Sequence, residues 1–139
     1  MIYAALLEKD KDMGYIVSFP DLPNVNAFGA TKEEALAMAK EALDGATASD
    51  LKMGVSFIYP KILPNEAENL FAVELAPKIE VAYKIFEARR GLKKNEVAKR
   101  AGMSPQAYQR FETPKGSPSV ETLYKIAHAM GKQLEIAFV

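Results

Sequence analysis

The chain reads as an α+β protein in two parts: a small antiparallel sheet with one packed helix, then an all-α segment that closes on a terminal strand. Three observations predict this. Short apolar, β-branched runs separated by turn residues fill the N-terminal stretch to Gly29. A capped amphipathic helix pattern follows at Thr31. From Pro77 onward the apolar spacing is helical, until strict alternation returns at Leu134, Ile136 and Phe138. A length of 139 residues serves one ordinary core or two small ones, and 49% hydrophobic with 26% charged residues is a globular composition.

Ile2–Leu7 is a short apolar run, followed by the charged turn Glu8–Gly14 and a second strand at Tyr15–Phe19, so the pair reads as a hairpin. Asp10-x-Asp12-x-Gly14 shares an outline with a calcium loop, but the third ligand before Gly and the distal Glu are missing, which leaves a hairpin turn. Pro20–Asn24 breaks the strand, and Val25–Gly29 reads as a third. Thr31-Lys32-Glu33-Glu34 is a capping box, the Thr hydroxyl and the Glu34 carboxylate each satisfying an orphan backbone donor. The helix it opens is expected to run to about Ala46, with Leu36, Ala39, Leu43 and Ala46 on one face and Ala35, Met38 and Ala42 beside them. Residues 45–69, rich in Gly, Pro, Asn and small polar residues, are expected to be mostly loop, with Val55–Tyr59 as a candidate short strand. Leu70–Leu75 alternates and completes the sheet in the order β-β-β-α-β.

A domain boundary is expected at Ala76/Pro77, where Pro can open the next helix. Ile79, Ala82, Tyr83 and Phe86 form its apolar face, and Gly91 ends it. Lys94–Ala101 follows as a short helix with Val97, Ala98 and Ala101 inward, stopped by Gly102, while Lys99 and Arg100 suit the negative end of its dipole. The next helix starts almost at once, with Ser104 as N-cap and Pro105 at the first helical position. Tyr108 and Phe111 face its core. Gln106, Ala107, Gln109 and Arg110 face outward, a set able to hydrogen-bond base edges and phosphates while Ala107 offers a methyl contact. This is the geometry of a helix-turn-helix, and with Lys94, Asn95, Ser104 and Lys115 it defines the expected DNA-binding residues. Lys115 lies in the loop Thr113–Pro118, which suits phosphate contact. Ser119 caps a last helix with Val120, Leu123, Ile126, Ala127 and Met130 inward, ended by Gly131. A lone terminal strand with an apolar face needs a partner, and pairing with a symmetry mate through Leu134, Ile136 and Phe138 is one solution, so at least a dimer is expected.

The formal net charge of zero conceals an asymmetry: residues 1–76 carry 6 Lys/Arg against 12 Asp/Glu, and residues 77–139 carry 12 against 6. A basic half containing a helix-turn-helix points to nucleic acid, and an acidic half points either to a basic ligand, commonly a protein, or to a solvated surface. Without cysteine there is no disulfide or thiolate chemistry, and the one histidine, His128, leaves no His-rich metal site and no ordinary Ser-His triad. No apolar run approaches the roughly twenty residues of a membrane helix. Met1-Ile2-Tyr3 begins a strand pattern rather than a basic signal region, so a cytoplasmic chain is expected.

Two family resemblances rest on these segments. Leu92-x-x-x-Glu96-Val97-Ala98, Gly102-Met103-Ser104, Arg110-Phe111-Glu112 and Pro118–Gly131 resemble the Cro/CI-type (XRE) DNA-binding domain. Two positions depart from that pattern. Lys94 stands where the family often has Gln, and Glu87 stands where it often has the Arg that pairs with the acid at Glu112, leaving Arg89 or Arg90 to supply the cation. Gly14–Pro23, then Gly29, Thr31, Glu34-Ala35 and Ala39–Leu43, resemble the HicB family of type II antitoxins. That resemblance implies a partly degenerate ribonuclease-H-like first domain over 1–76 and a DNA-binding second domain over 77–139. It also implies a small basic ribonuclease toxin, HicA, as the partner of the first domain, with Tyr15, Phe19, Asp21 and Leu22 among its contacts. The implied function is an antitoxin that neutralises the toxin and represses its own operon. The alternatives are a free-standing repressor with a ligand-sensing N-terminal domain, and an active nuclease. A nuclease needs carboxylates converging on metal ions. Asp10 and Asp12 in a turn, Asp21 between prolines and Glu33, Glu34 and Glu41 on a helix do not form such a set, so no catalytic residue, metal or cofactor is expected.

Overall fold

The computed structural model of the chain describes residues 1–12 and 14–139. They divide into two compact units, Met1–Glu80 and Val81–Val139.

In the first unit β1 (Ile2–Asp10) and β2 (Gly14–Phe19) form the expected hairpin, antiparallel with Leu6 opposite Ser18 and Asp10 opposite Gly14. β3 (Leu22–Gly29) pairs with β2 after a register shift at Ser18/Phe19, and β4 (Leu70–Glu74) pairs antiparallel with the other side of β1. The sheet order is therefore β3-β2-β1-β4, with β3 and β4 outermost. Alternation along the strands sends Tyr3, Ala5, Leu7, Val17, Phe19, Ala27 and Val73 to one face. There α1 (Lys32–Lys52) closes the core with Ala35, Ala39 and Leu43, all fully buried.

The start of α1 lies so near the end of β3 that a Cβ on Gly29 would sit 2.5 Å from the Ala35 backbone nitrogen. Only glycine fits there. The capping box forms one residue out of step: the Thr31 hydroxyl accepts from the Glu34 N–H at 3.1 Å, while the Glu34 carboxylate accepts from the Ala30 N–H at 3.2 Å.

Two expectations for 45–69 need correction. The helix does not end near Ala46; it continues to Lys52, because Thr47 and Leu51 extend the buried row of Ala39 and Leu43 at four-residue spacing. Val55–Tyr59 is not a strand; it is coil outside the four-stranded sheet. The segment is a coil that ends in a 3₁₀ turn at Glu66–Glu68 and a left-handed Asn69 leading into β4.

The division between units falls within α2 (Pro77–Ala88): Ile79 belongs to the first core and Ile85 to the second. α3 (Lys94–Arg100), α4 (Pro105–Phe111) and α5 (Val120–Ala129) follow, each close to its expected span. Val97, Ala98, Tyr108, Ile126, Ala129 and Met130 join Ile85 in one core. Val120 does not face inward as expected. It is half exposed at the first helical position, before the apolar stripe begins. The tail after Gly131 likewise forms no strand within the single chain. A strand exists only with a hydrogen-bonded partner, and no other strand lies in this unit among the described residues.

Candidate nucleic-acid and partner interfaces

α3 and α4 meet through a tight turn in which Gly102 takes φ 72°, Ala101 donates to the Val97 carbonyl at 2.9 Å, and Met103 donates to the Ala98 carbonyl at 3.0 Å. Ser104 then caps α4, its hydroxyl oxygen accepting from the Ala107 N–H at 3.1 Å. With Tyr108 buried on the inner side, Gln106, Ala107, Gln109 and Arg110 are exposed on α4. Lys94 and Asn95 are exposed in the first turn of α3, as are Ser104 at the cap and Lys115 in the following loop. All eight side chains singled out for DNA contact are thus available to a ligand.

A buried polar cluster fixes α4. Glu112, its C-cap, is 5% exposed and receives hydrogen bonds on both carboxylate oxygens from Arg89, through Nε and through Nη2, the latter at 3.0 Å. Arg89 Nη1 also donates to the Leu92 carbonyl at 3.0 Å, and the Tyr108 hydroxyl donates to Glu112. Arg89, of the two cations that could have met Glu112, is the one that forms the fork. Its hydrogen bond to Glu112 holds the guanidinium above its ordinary pKa, outweighing partial burial. Burial, reinforced by the Glu112 hydrogen bond, pushes the Tyr108 phenol well above its usual range, so the hydroxyl stays a donor. Three residues at the C-terminal ends of α2 and α4 therefore form one satisfied network, and no buried side-chain polar atom is left without a partner among the described residues.

The loop after α4 is packed onto it more tightly than its sequence indicated. The Thr113 hydroxyl donates to the Arg110 carbonyl at 2.7 Å, and Gly116 N–H donates to the Thr113 carbonyl at 3.2 Å. A Cβ on Gly116 would lie 2.5 Å from the Arg110 carbonyl oxygen. Thr113 and Gly116, which sequence reasoning did not single out, thereby hold the chain bearing Lys115 against the end of α4.

The four residues expected to meet a toxin are placed differently from one another. Phe19 is 1% exposed within the core and has no surface to offer a partner. The register explains it, since Phe19 shares the inner face of β2 with Val17. Tyr15 and Leu22 are half-buried and pack against the same core. Asp21 Oδ2 is engaged within the chain, accepting from the N–H groups of Lys61 and Ile62 at 2.9 and 3.0 Å. Exposed apolar side chains of this unit include Ile2, Phe28 and Met38 on β1, β3 and α1, and a longer run on the coil after α1, where Leu63 is 82% and Met53 68% exposed.

Among the described residues no three His, Asp or Glu side chains are grouped to hold a metal ion, and no helix is long and apolar enough to cross a membrane. His128 is exposed on α5, its ring edge-on to Tyr124 at 6.3 Å.

Residues 2–60 match the family described as HicB-like antitoxin of bacterial toxin-antitoxin system, and residues 83–136 match the helix-turn-helix family. Neither is a family of enzymes. Antitoxin HicB 1 of Photorhabdus laumondii is 30% identical over 137 residues, which span 99% of this chain and 86% of the relative. Antitoxin HicB 2 of the same organism is 31% identical, with 100% and 97% covered, and Antitoxin HicB of Escherichia coli K12 is 28% identical over the full length of both. The order of the two matched regions is that of the two structural units, and the chain belongs to the HicB antitoxin family of bacterial toxin–antitoxin systems, with a helix-turn-helix in its second half.

Proposed function

We propose that the chain neutralises a HicA-like ribonuclease toxin with its first unit and represses its own operon by binding operator DNA with its second. The observation that carries the DNA reading is the outward face of α4, where Gln106, Ala107, Gln109 and Arg110 are all exposed on a helix held by a buried network. Gln and Arg have the donor and acceptor geometry for adenine and guanine edges. Lys94, Asn95, Ser104 and Lys115 flank them as phosphate contacts, which position the helix without reading sequence. The charge division supports both partners: an acidic half suits a basic toxin, and a basic half suits DNA.

One short recognition helix makes few base contacts, so a dimer on a palindrome with half-sites about 34 Å apart, or a multiple of that, is the reading of the tail. Ile136 and Phe138 are exposed in the single chain, and Leu134 is half-buried. Removal of residues 134–139 is expected to lower the sedimentation coefficient and the operator affinity together; an unchanged sedimentation coefficient rejects the tail as the dimer contact. Arg110→Ala and Gln106→Ala are each expected to cost about 1–3 kcal/mol of operator affinity where a bidentate base contact is lost. Toxin neutralisation should persist in both. Lys94→Ala and Lys115→Ala should instead weaken all DNA binding and flatten its salt dependence. Operator mobility shift and toxin RNA cleavage, run on the same variants, test the assignment. An N-terminal fragment that is folded yet leaves the toxin fully active would remove the antitoxin half of the proposal.

A further inference from the structure

Residues 53–64 run between α1 and the 3₁₀ turn without regular structure. Loops of about this length are uncommon in compact domains and usually carry function. This one is held at several points. Val55 N–H donates to the Asp50 carbonyl at 2.9 Å, the Phe57 side chain packs against the core, and the Tyr3 hydroxyl donates to the Ile58 carbonyl. The single oxygen Asp21 Oδ2 then takes the N–H groups of both Lys61 and Ile62.

What the anchors present is apolar. Met53, Val55, Ile58, Tyr59, Ile62 and Leu63 are all exposed, Tyr59 with its ring edge-on to the anchored Phe57 at 4.8 Å. Scattered exposed apolar residues need no explanation, but six within one pinned stretch amount to a surface shaped for burial. Because the backbone is already fixed, ordering it on binding costs little, which is how preorganisation favours affinity.

We infer that this arm is the surface that docks the basic toxin, and that Asp21 is a positioning residue that holds it in shape. The inference rests on the reading that the first unit binds that toxin, and it names where. Charge selects the occupant. Residues 1–80 carry 7 Lys/Arg against 13 Asp/Glu, and Glu66 and Glu68 stand exposed just beyond the arm. An apolar patch on a net-acidic unit, which also carries the exposed Lys52 and Lys61 at this patch, is complementary to a basic protein. It repels nucleic acid, and it repels the same unit of a second copy.

The test uses the full chain and a HicA-like toxin, with affinity measured by calorimetry on a catalytically inactive form of the toxin. Leu63→Asp and Tyr59→Ala should each weaken toxin binding about tenfold or more, as loss of an anchor side chain does, with operator binding unchanged. Asp21→Ala should weaken toxin binding and speed hydrogen exchange at the Lys61 and Ile62 amides. Asp21→Asn, which keeps one acceptor oxygen, should restore both. Wild-type binding with Leu63→Asp and Tyr59→Ala folded and within about twofold of it would overturn the inference while leaving the toxin assignment standing. Loss of self-association, rather than of toxin affinity, in Leu63→Asp would overturn it in favour of a second copy. A wild-type chain that does not bind the toxin removes both readings.

Discussion

The first unit buries almost nothing polar, whereas the second is built around a carboxylate. In the first, a helix with alanines at its contact face approaches a sheet of Tyr, Val, Phe and Leu side chains, and Thr47 is the one polar or charged residue buried among those described. In the second, Glu112 lies at 5% exposure among Arg89 and Tyr108, inside a smaller helical core. Apolar packing fails gradually, through volume. A buried ion network fails abruptly, because removing one member leaves the others desolvated and unpaired.

Glu112→Ala should therefore have the largest effect. Breaking a buried pair costs about 3–5 kcal/mol, and a unit of this size has a total stability of about 3–9 kcal/mol. The helix-turn-helix is expected to lose its cooperative thermal transition and the operator binding proposed for it, while the first unit keeps its own transition and its proposed toxin binding. Equal loss in both would show that the two units do not fail separately.

Gly29→Ala probes the other kind of failure. The new Cβ meets backbone rather than a movable side chain, so α1 must shift from β3, at an overpacking cost of about 1–3 kcal/mol. Denaturant melts should show this in the sheet unit, with DNA binding untouched.

Tyr108→Phe is the mildest change at neutral pH. It removes one donor to Glu112 and keeps the ring, for about 1 kcal/mol. Its value lies in pH dependence. Because burial and the Glu112 hydrogen bond raise the Tyr108 pKa in the folded state, the resulting stability is fully present below the unfolded value of about 10 and is lost as pH rises beyond it. Melting of the wild-type second unit should fall above about pH 10, and the Phe variant should fall less steeply. Identical slopes would show that Tyr108 is not the group responsible.

What was legible in the sequence was local. Caps at Thr31, Ser104 and Ser119, the turn at Gly102 and the alternation of the strands depend on neighbours a few residues away, and each is present. Choosing Arg89 over Arg90 required knowing which side of α2 reaches the end of α4, a tertiary fact. The last turns of α1 were hidden by Gly45 and by Thr47, a polar residue on the buried row. The coil at 53–64 has no period to read, so its anchors, Tyr3 and Asp21, which are distant in sequence, gave no sign of it. Phe19 is the instructive case, because its spacing from Val17 already placed it inside.

The outer strands of the sheet have a consequence for how molecules of this protein meet. An unpaired strand edge invites the same edge of another molecule and, repeated, fibrillar growth. Here β4 offers only five residues, and β3 contains Pro23, which has no N–H to give an incoming backbone, and begins at an irregular register. Stacking by backbone pairing is disfavoured at both ends of the sheet. The first unit is left to recognise its partners through side chains, and the chemistry of those side chains can discriminate where a bare backbone would accept any strand.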